Sequence, residues 1–345
     1  MRLSVLDQSP VPEGSTGADA LRNTLDLARL ADELGYQRYW VAEHHGGPML
    51  AGPSPEVLAG PIAAATQRIR VGSGGVMLPH YSPFKVAESF SVLSGLFPGR
   101  IDLGLGRASG TDPVTTFALQ RDRRQGMADD FPEQLAELLA YLEDDIPAGH
   151  PFARLPAWLP GRPELPEPWL LGSSPQSAIW AGQLGLPYSF ADFINPEGAE
   201  IAALYRERFD ASAGRLSEPR LSVGAWALCT ETDEEAERLA SSARMAMKLL
   251  RRGQLIPVPP VEKALRFFEA EGKPVGARPE GRQRRMVLGS PATVRAGLEQ
   301  LARDYGAEEV IVVTIVHDHA ARRRSYELIA EAFGLSGASA EPAAA

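Results

Sequence analysis

Along this chain short apolar runs alternate with longer stretches whose apolar residues recur at helical spacing, and the alternation continues to about residue 333. Such a rhythm predicts βα units and a parallel sheet, an α/β fold. Strands are predicted at 2–6, 38–42, 68–77, 100–106, 169–171, 187–191, 220–229 and 309–316, eight in all. A helix over 19–34 places Leu21, Leu25, Ala28 and Leu34 near one face and stops at Gly35. Four further helices open on Ser54-Pro55, Ser82-Pro83, Ser174-Pro175 and Ser290-Pro291, a capping serine followed by a first-turn proline. Helices are also expected at 132–143, 196–209, 319–333 and from Thr232, where Asp233, Glu234 and Glu235 face the positive helix end.

Three segments break the apolar pattern at strand ends: Tyr39 through His45, Arg70 through Pro79, and Gly99 through Arg107. Each is a buried strand running out into charged, imidazole or glycine positions. In a parallel barrel all strands point their C-termini at one face, so these ends converge on one composite site. Between the βα units lie irregular stretches. Residues 108–127 read as a Gly/Thr/Arg-rich rim loop, and seven prolines across 147–168 make an extended excursion with Phe152, Trp158 and Leu159 as anchors. Residues 251–285 hold one helical stretch at 261–271 and read as an insertion that could lie over the barrel mouth as a lid. One domain spanning 1–335 with insertions at 108–168 and 251–285 is expected, and 336–345 is a small-residue tail expected to be disordered.

Composition narrows the function. A net charge of −9 without a basic stripe lacks the electrostatic footprint of nucleic-acid binding, and 281–285 is only a short basic loop. The single cysteine, Cys229, forms no internal disulfide, fits a cytoplasmic location, and reads as strand packing beside Trp226 and Leu228. No apolar run is long enough to cross a membrane.

The candidate chemistry sits at the strand ends. Glu43-His44-His45 invites a metal reading, but neighbouring strand residues point to opposite faces, so the two imidazoles do not share an ion. His44 is the candidate catalyst, with Glu43 orienting the strand end and His45 in support. Gly72, Gly74 and Gly75 weaken a strand unless it bulges there or another backbone or a flat ligand comes close; a planar cofactor against Gly74-Gly75 is the sharper explanation. Arg107 ends its strand with a guanidinium suited to phosphate. Gly172-Ser173-Ser174-Pro175-Gln176-Ser177 supplies small residues, hydroxyls and a helix N-terminus, which with Arg107 would make a phosphate cradle. His317-Asp318-His319 offers alternate metal ligands without a third partner. Gly104-Leu105-Gly106 lacks the strand-to-helix turn of a dinucleotide fingerprint.

Taken together, residues 40–45, 71–79, 98–107 and 172–174 with Gly185-Leu186-Pro187 resemble the bacterial luciferase-like, flavin-dependent monooxygenase family. The resemblance implies a TIM (β/α)8 barrel, usually dimeric, that binds reduced FMN supplied by a separate flavin reductase. It implies Glu43 and His44 as the active-site pair, Gly74-Gly75 as a non-prolyl cis peptide under the flavin ring, and Arg107, Gly172, Ser173, Ser174 and Ser177 around the phosphate. The luciferase's reactive cysteine is replaced here by Gly106 and its long mobile loop is not recognisable in 251–285, so light emission on a long-chain aldehyde is not implied.

The expected activity is O2-using monooxygenation of a small organic substrate through a flavin C4a-hydroperoxide. F420-dependent hydride transfer on the same fold and a non-catalytic flavin-binding role are the alternatives. Substrate-shaping residues are expected at His80, Tyr81, 111–117, Phe190, Asp192 and around Pro257.

Overall fold

A computed structural model of the chain describes residues 1–107, 112–120, 130–272 and 286–336. Its strands are β1 (Arg2–Asp7), β2 (Arg38–Val41), β3 (Arg70–Met77), β4 (Ile101–Gly106), β5 (Glu167–Gly172), β6 (Tyr188–Ala191), β7 (Leu221–Cys229), β8 (Met286–Gly289) and β9 (Glu309–Val313). Eight of them close a parallel barrel in the order β1-β2-β3-β4-β5-β6-β7-β9, with β9 returning to β1. The helices are α1 (Gly17–Leu34), α2 (Pro55–Ala65), α3 (Pro83–Leu96), α4 (Pro113–Leu119), α5 (Phe131–Glu143), α6 (Pro175–Gln183), α7 (Ala199–Glu207), α8 (Asp233–Arg251), α9 (Val261–Ala270), α10 (Pro291–Tyr305) and α11 (His319–Phe333). The TIM-barrel expectation holds.

One strand escaped the sequence pattern. β8, four residues long, pairs outside the barrel ring with the C-terminal half of β7, Trp226 to Cys229. It is too short to show a period, and it abuts the capping Ser290 of α10. Asp233 on α8 accepts the Ser290 N–H at 2.6 Å and so ties this extra unit down. The rim expected at 108–127 contains α4, whose N-cap Asp112 accepts the Val114 and Thr115 amides; 108–111 and 121–129 lie outside the described residues. Of the three proline-stretch anchors, Leu159 is buried, whereas Phe152 and Trp158 are exposed. In the insertion, α9 packs Val261 and Ala264 against α8, and no described residue of 251–272 lines the barrel cavity. Residues 273–285, including the basic loop, and the tail from 337 lie outside the described residues. Among those described, no helix is long and apolar enough to cross a membrane.

Alternation along the strands sorts the two faces. Leu3 and Val5, Tyr39 and Val41, Ile101 and Leu103, Val310 and Val312 point outward into the layer shared with the helices. The inward row begins with an ionic plug at the N-terminal ends. Arg38, 3% exposed, gives Nη1 to Asp102 at 2.8 Å and Nε to Glu309 at 3.0 Å. Arg70 binds the other Asp102 oxygen, and Trp40 Nε1 donates to Asp102 at 2.9 Å. Ser4 donates to Glu309, and Arg220 pairs with Glu167. Above the plug, Trp40 and Trp169 meet edge to face at 5.3 Å, and the Arg38 guanidinium lies 4.6 Å from the Trp169 ring centre.

Cys229 is buried, as expected from its strand neighbours, and burial pushes its thiol up to about 12, so it stays a thiol. His317 bonds Glu13 O and His319 bonds Asp26, and among the described residues no cluster could hold a metal.

Arg38→Met leaves two buried carboxylates short of their counter-charge, and should cost about 3–5 kcal/mol in urea unfolding. Arg70→Met, at a more exposed site, should cost less; equal losses would show that burial of Arg38 is not what matters.

Candidate functional site

The strand ends build one cavity of about 280 Å³ at the C-terminal mouth of the barrel. His44, Gly74, Gly75, Arg107, Gly172, Ser173, Ser174 and Ser177 all line it. Five elements thus bring together residues spread over more than a hundred positions. Glu43 does not line it, because strand alternation turns its side chain the other way.

Glu43 instead clamps the rim. Fully buried, it accepts the Met77 N–H at 2.8 Å, the Tyr81 hydroxyl at 2.9 Å and shares a 2.7 Å hydrogen bond with His45 Nε2. Burial, and then the Glu43 carboxylate, hold the Tyr81 phenol well above its ordinary value, so it remains a donor. The backbone on either side of His44 is thereby fixed, and the His44 N–H itself goes to Gly52 O at 3.0 Å. His80 and Tyr81 lie in this supporting layer and do not reach the cavity.

His44 Nδ1 is buried with no hydrogen-bond partner. Burial, and secondly the neighbouring His45, push the imidazole down to about 4. It is neutral at physiological pH and offers one nitrogen as donor and the other as acceptor.

β3 bulges between Ser73 and Val76, and the Gly74-Gly75 peptide is cis. The glycines answer to the protein itself: a Cβ on Gly74 would sit 2.5 Å from Leu6 Cδ1, and one on Gly75 2.7 Å from Gly104 O. Close approach of another backbone accounts for Gly75, and the pair also forms part of the cavity wall.

At the opposite side, Ser174 caps α6 and accepts the Ser177 N–H at 3.4 Å. The Ser177 hydroxyl donates to Ser174 O at 2.8 Å and meets Tyr188 Oη at 2.9 Å, so it shapes the cradle through its neighbours. Asn195 holds Ser173 O at 3.1 Å. Arg107 stands 5.7 Å from the Trp180 ring centre, and Trp180 packs on Phe131. The hydroxyls of Ser173 and Ser174, a helix N-terminus and a guanidinium thus gather at one end of the cavity, a donor set suited to a phosphate.

The remaining walls are mostly apolar, with Leu6, Trp40, Leu171, Phe193, Ile194 and Ile311, and Gln8 and Ser189 are the polar exceptions among the described residues. Of the expected substrate-shaping residues that are described, only Phe190 lines the cavity. Asp192 bonds Tyr305 Oη, and the Pro257 region is stitched to the β1–α1 loop through Val258. Thr111 lies outside the described residues. The missed wall residues had a signal. Counting back by twos from His44 gives Ala42 and Trp40, and extending the β1 alternation gives Leu6 and Gln8.

His44 also predicts an acid sensitivity. Between about pH 6.5 and 4 the unfolded chain binds a proton there that the folded chain refuses, so this contribution to stability is present above that window and lost as pH falls through it. In the protein without added ligand, the stability lost between pH 7 and 4.5 should be smaller by about 2 kcal/mol in His44→Gln than in wild type. Parallel pH profiles of the two in urea unfolding would show that His44 is not depressed.

A family profile described as luciferase-like monooxygenase matches residues 1–309. The chain is 39% identical over 335 residues to N-acetyl-S-alkylcysteine monooxygenase of Bacillus subtilis, covering 96% of this chain and 98% of that one. It superposes on the crystal structure of apo-MsnO8 with a TM-score of 0.87 at 43% identity, over 97% of this chain and 98% of that one. Two more distant barrels share the fold alone. One is the oxygenating constituent of 3,6-diketocamphane monooxygenase from Pseudomonas putida in complex with FMN (TM-score 0.71, 19% identity, 99% of each chain). The other is an F420-dependent secondary alcohol dehydrogenase (TM-score 0.63, 15% identity, 95% of this chain and 98% of that one). With the profile covering most of its length, the chain belongs to the luciferase-like monooxygenase family.

Proposed function

We propose that the protein is an FMN-dependent monooxygenase that takes reduced FMN from a separate reductase and oxygenates a small organic substrate. The observation that carries this reading is one cavity with phosphate donors at one side and a half-buried, neutral His44 with a buried, unpaired Nδ1 at the other. The fit to FMN is one of chemistry: Arg107, Ser173 and Ser174 for a phosphate, and apolar walls for a flat ring. Bound reduced FMN supplies two electrons to O2, so that one oxygen atom enters the substrate and the other leaves as water. The protein's share is to bind, exclude water and handle protons. His44, neutral and rigidly held, accepts or returns a proton at the cavity wall, and Glu43 acts on it only by fixing the rim.

FMN is favoured over F420 because the 39% identical relative is named a monooxygenase, whereas the F420-dependent neighbour is 15% identical. A separate reductase is favoured because the sequence lacks a dinucleotide fingerprint. A second copy of the chain suits the α2 and α3 surface. Val57, Pro61 and Ala64 of α2 and Val92 and Leu96 of α3 are exposed apolar residues on two neighbouring helices. Light scattering should give the mass of two chains, falling to one in a Val57→Lys, Leu96→Lys double variant; a monomeric wild type rejects the dimer.

The activity test is an anaerobic titration with reduced FMN, followed by mixing with O2 and substrate. Stoichiometric binding and slowed reoxidation of the bound flavin support the reading; no binding, or tight binding of F420 alone, overturns it. In the same titration His44→Asn should bind reduced FMN about as wild type does while turnover falls by about 10²–10⁴. Arg107→Met should weaken FMN about tenfold or more and leave riboflavin nearly unchanged.

A further inference from the structure

Gln8 closes the inward-facing row of β1 after Ser4 and Leu6 and lines the cavity. It is 7% exposed, and its Oε1 is buried with no hydrogen-bond partner. Buried polar atoms are nearly always paired, so an orphan beside a cavity is an atom waiting for the occupant.

The main chain on both sides of Gln8 is held tightly. Asp7 pairs with Arg322 at 2.6 Å and accepts the Tyr39 hydroxyl at 2.5 Å. Ser9 sits at φ +49°, a left-handed conformation unfavourable for a side chain with a Cβ. Its N–H goes to Asp7 Oδ1 at 2.7 Å, its Oγ meets Thr24 Oγ1 at 2.8 Å, and its carbonyl accepts the Ala51 N–H at 2.9 Å. So anchored, the backbone has no slack to carry the carboxamide to a partner within the protein. The same contacts that sustain the strained Ser9 backbone hold Gln8 in place.

β1 and β2 run in register with Asp7 opposite Val41, which puts Gln8 beside Ala42 and one inward step from His44. The two orphaned polar atoms of the described cavity lining, Gln8 Oε1 and His44 Nδ1, therefore share the β1–β2 side of the mouth. Arg107, Ser173 and Ser174 belong to the β4–β5 side. The isoalloxazine ring has an apolar dimethylbenzene edge and a pyrimidine edge on which N3–H lies between two carbonyls. Leu171, Phe193 and Ile194 suit the first edge, and a carboxamide, donor and acceptor side by side, suits the second.

We infer that Gln8 reads the pyrimidine edge, Oε1 accepting the flavin N3–H, and so decides which way round the ring lies in the cavity. This rests on the flavin reading proposed above. A secondary amide of the substrate is the other source of such an N–H, and the experiment separates the two.

Wild type, Gln8→Met and Gln8→Leu are titrated anaerobically with reduced FMN and with reduced 3-methyl-FMN, in which a methyl group replaces the N3 proton, and the flavin-free proteins are melted. Wild type should bind FMN about tenfold or more tighter than the methylated flavin. Both variants should bind FMN about tenfold weaker than wild type and cease to distinguish the two flavins. Their melting temperatures without flavin should be equal to or above that of wild type, because an unpaired buried acceptor has been removed. Wild type that binds both flavins equally, or variants with undiminished FMN affinity, overturns the assignment and returns Oε1 to the substrate. Variants that melt earlier than wild type overturn it as well, since Gln8 then serves the fold. Wild type that binds neither flavin overturns the FMN reading itself.

Discussion

Everything above the barrel floor depends on the buried charge cluster centred on Arg38. Its guanidinium meets Asp102 of β4, Glu309 of β9 and Glu167 of β5, and so joins strands that are not neighbours in the ring. Hydrogen bonding between adjacent strands fixes only pairwise register, and an ionic contact across the interior fixes the ring as a whole. Burying these charges is costly unless each is matched, and matching demands one arrangement of the strands. The tryptophan pair, Trp40 and Trp169, then roofs the plug, with Trp40 donating to Asp102 from above.

With the floor sealed, the open end of the barrel is the space left for chemistry, and its shape follows from the same alternation. Along β2 and its continuation the inward row runs Arg38, Trp40, Ala42, His44: charge, packing, wall, imidazole. The outward row on the same strand runs Tyr39, Val41, Glu43, and its last member holds the rim from behind. A single strand thus anchors the barrel, lines the cavity and positions the imidazole. Of the residues that line the cavity, Gln8 and His44 carry buried polar atoms left unpaired, beside the room that the floor and the rim leave for an occupant.

Much of this was legible beforehand. The βα rhythm, the four Ser-Pro helix starts and the eight barrel strands are local signals, carried by periodicity and by backbone chemistry within a few residues. The candidate residues were legible for the same reason: glycines in a strand and charged groups at strand ends contradict what a strand needs. β8 was not legible, because four residues cannot show a period, and neither was the exposure of Phe152 and Trp158, which depends on what packs over them. His80, Tyr81 and Asp192 were expected at the cavity and are spent elsewhere, since proximity in sequence to a strand end does not say which way a side chain turns.

By itself, then, the sequence determined the fold class, the approximate position of each barrel strand and a set of candidate residues at the strand ends. Tertiary structure alone decided that Glu43 faces the rim while His44 faces the cavity, that the Ser177 hydroxyl is occupied by Ser174 and Tyr188, and that Gln8 is left with an unpaired acceptor. The division has one physical cause. Periodicity is a property of neighbours along the chain, whereas burial, desolvation and hydrogen-bond satisfaction are properties of neighbours in space, which exist only once the barrel has closed.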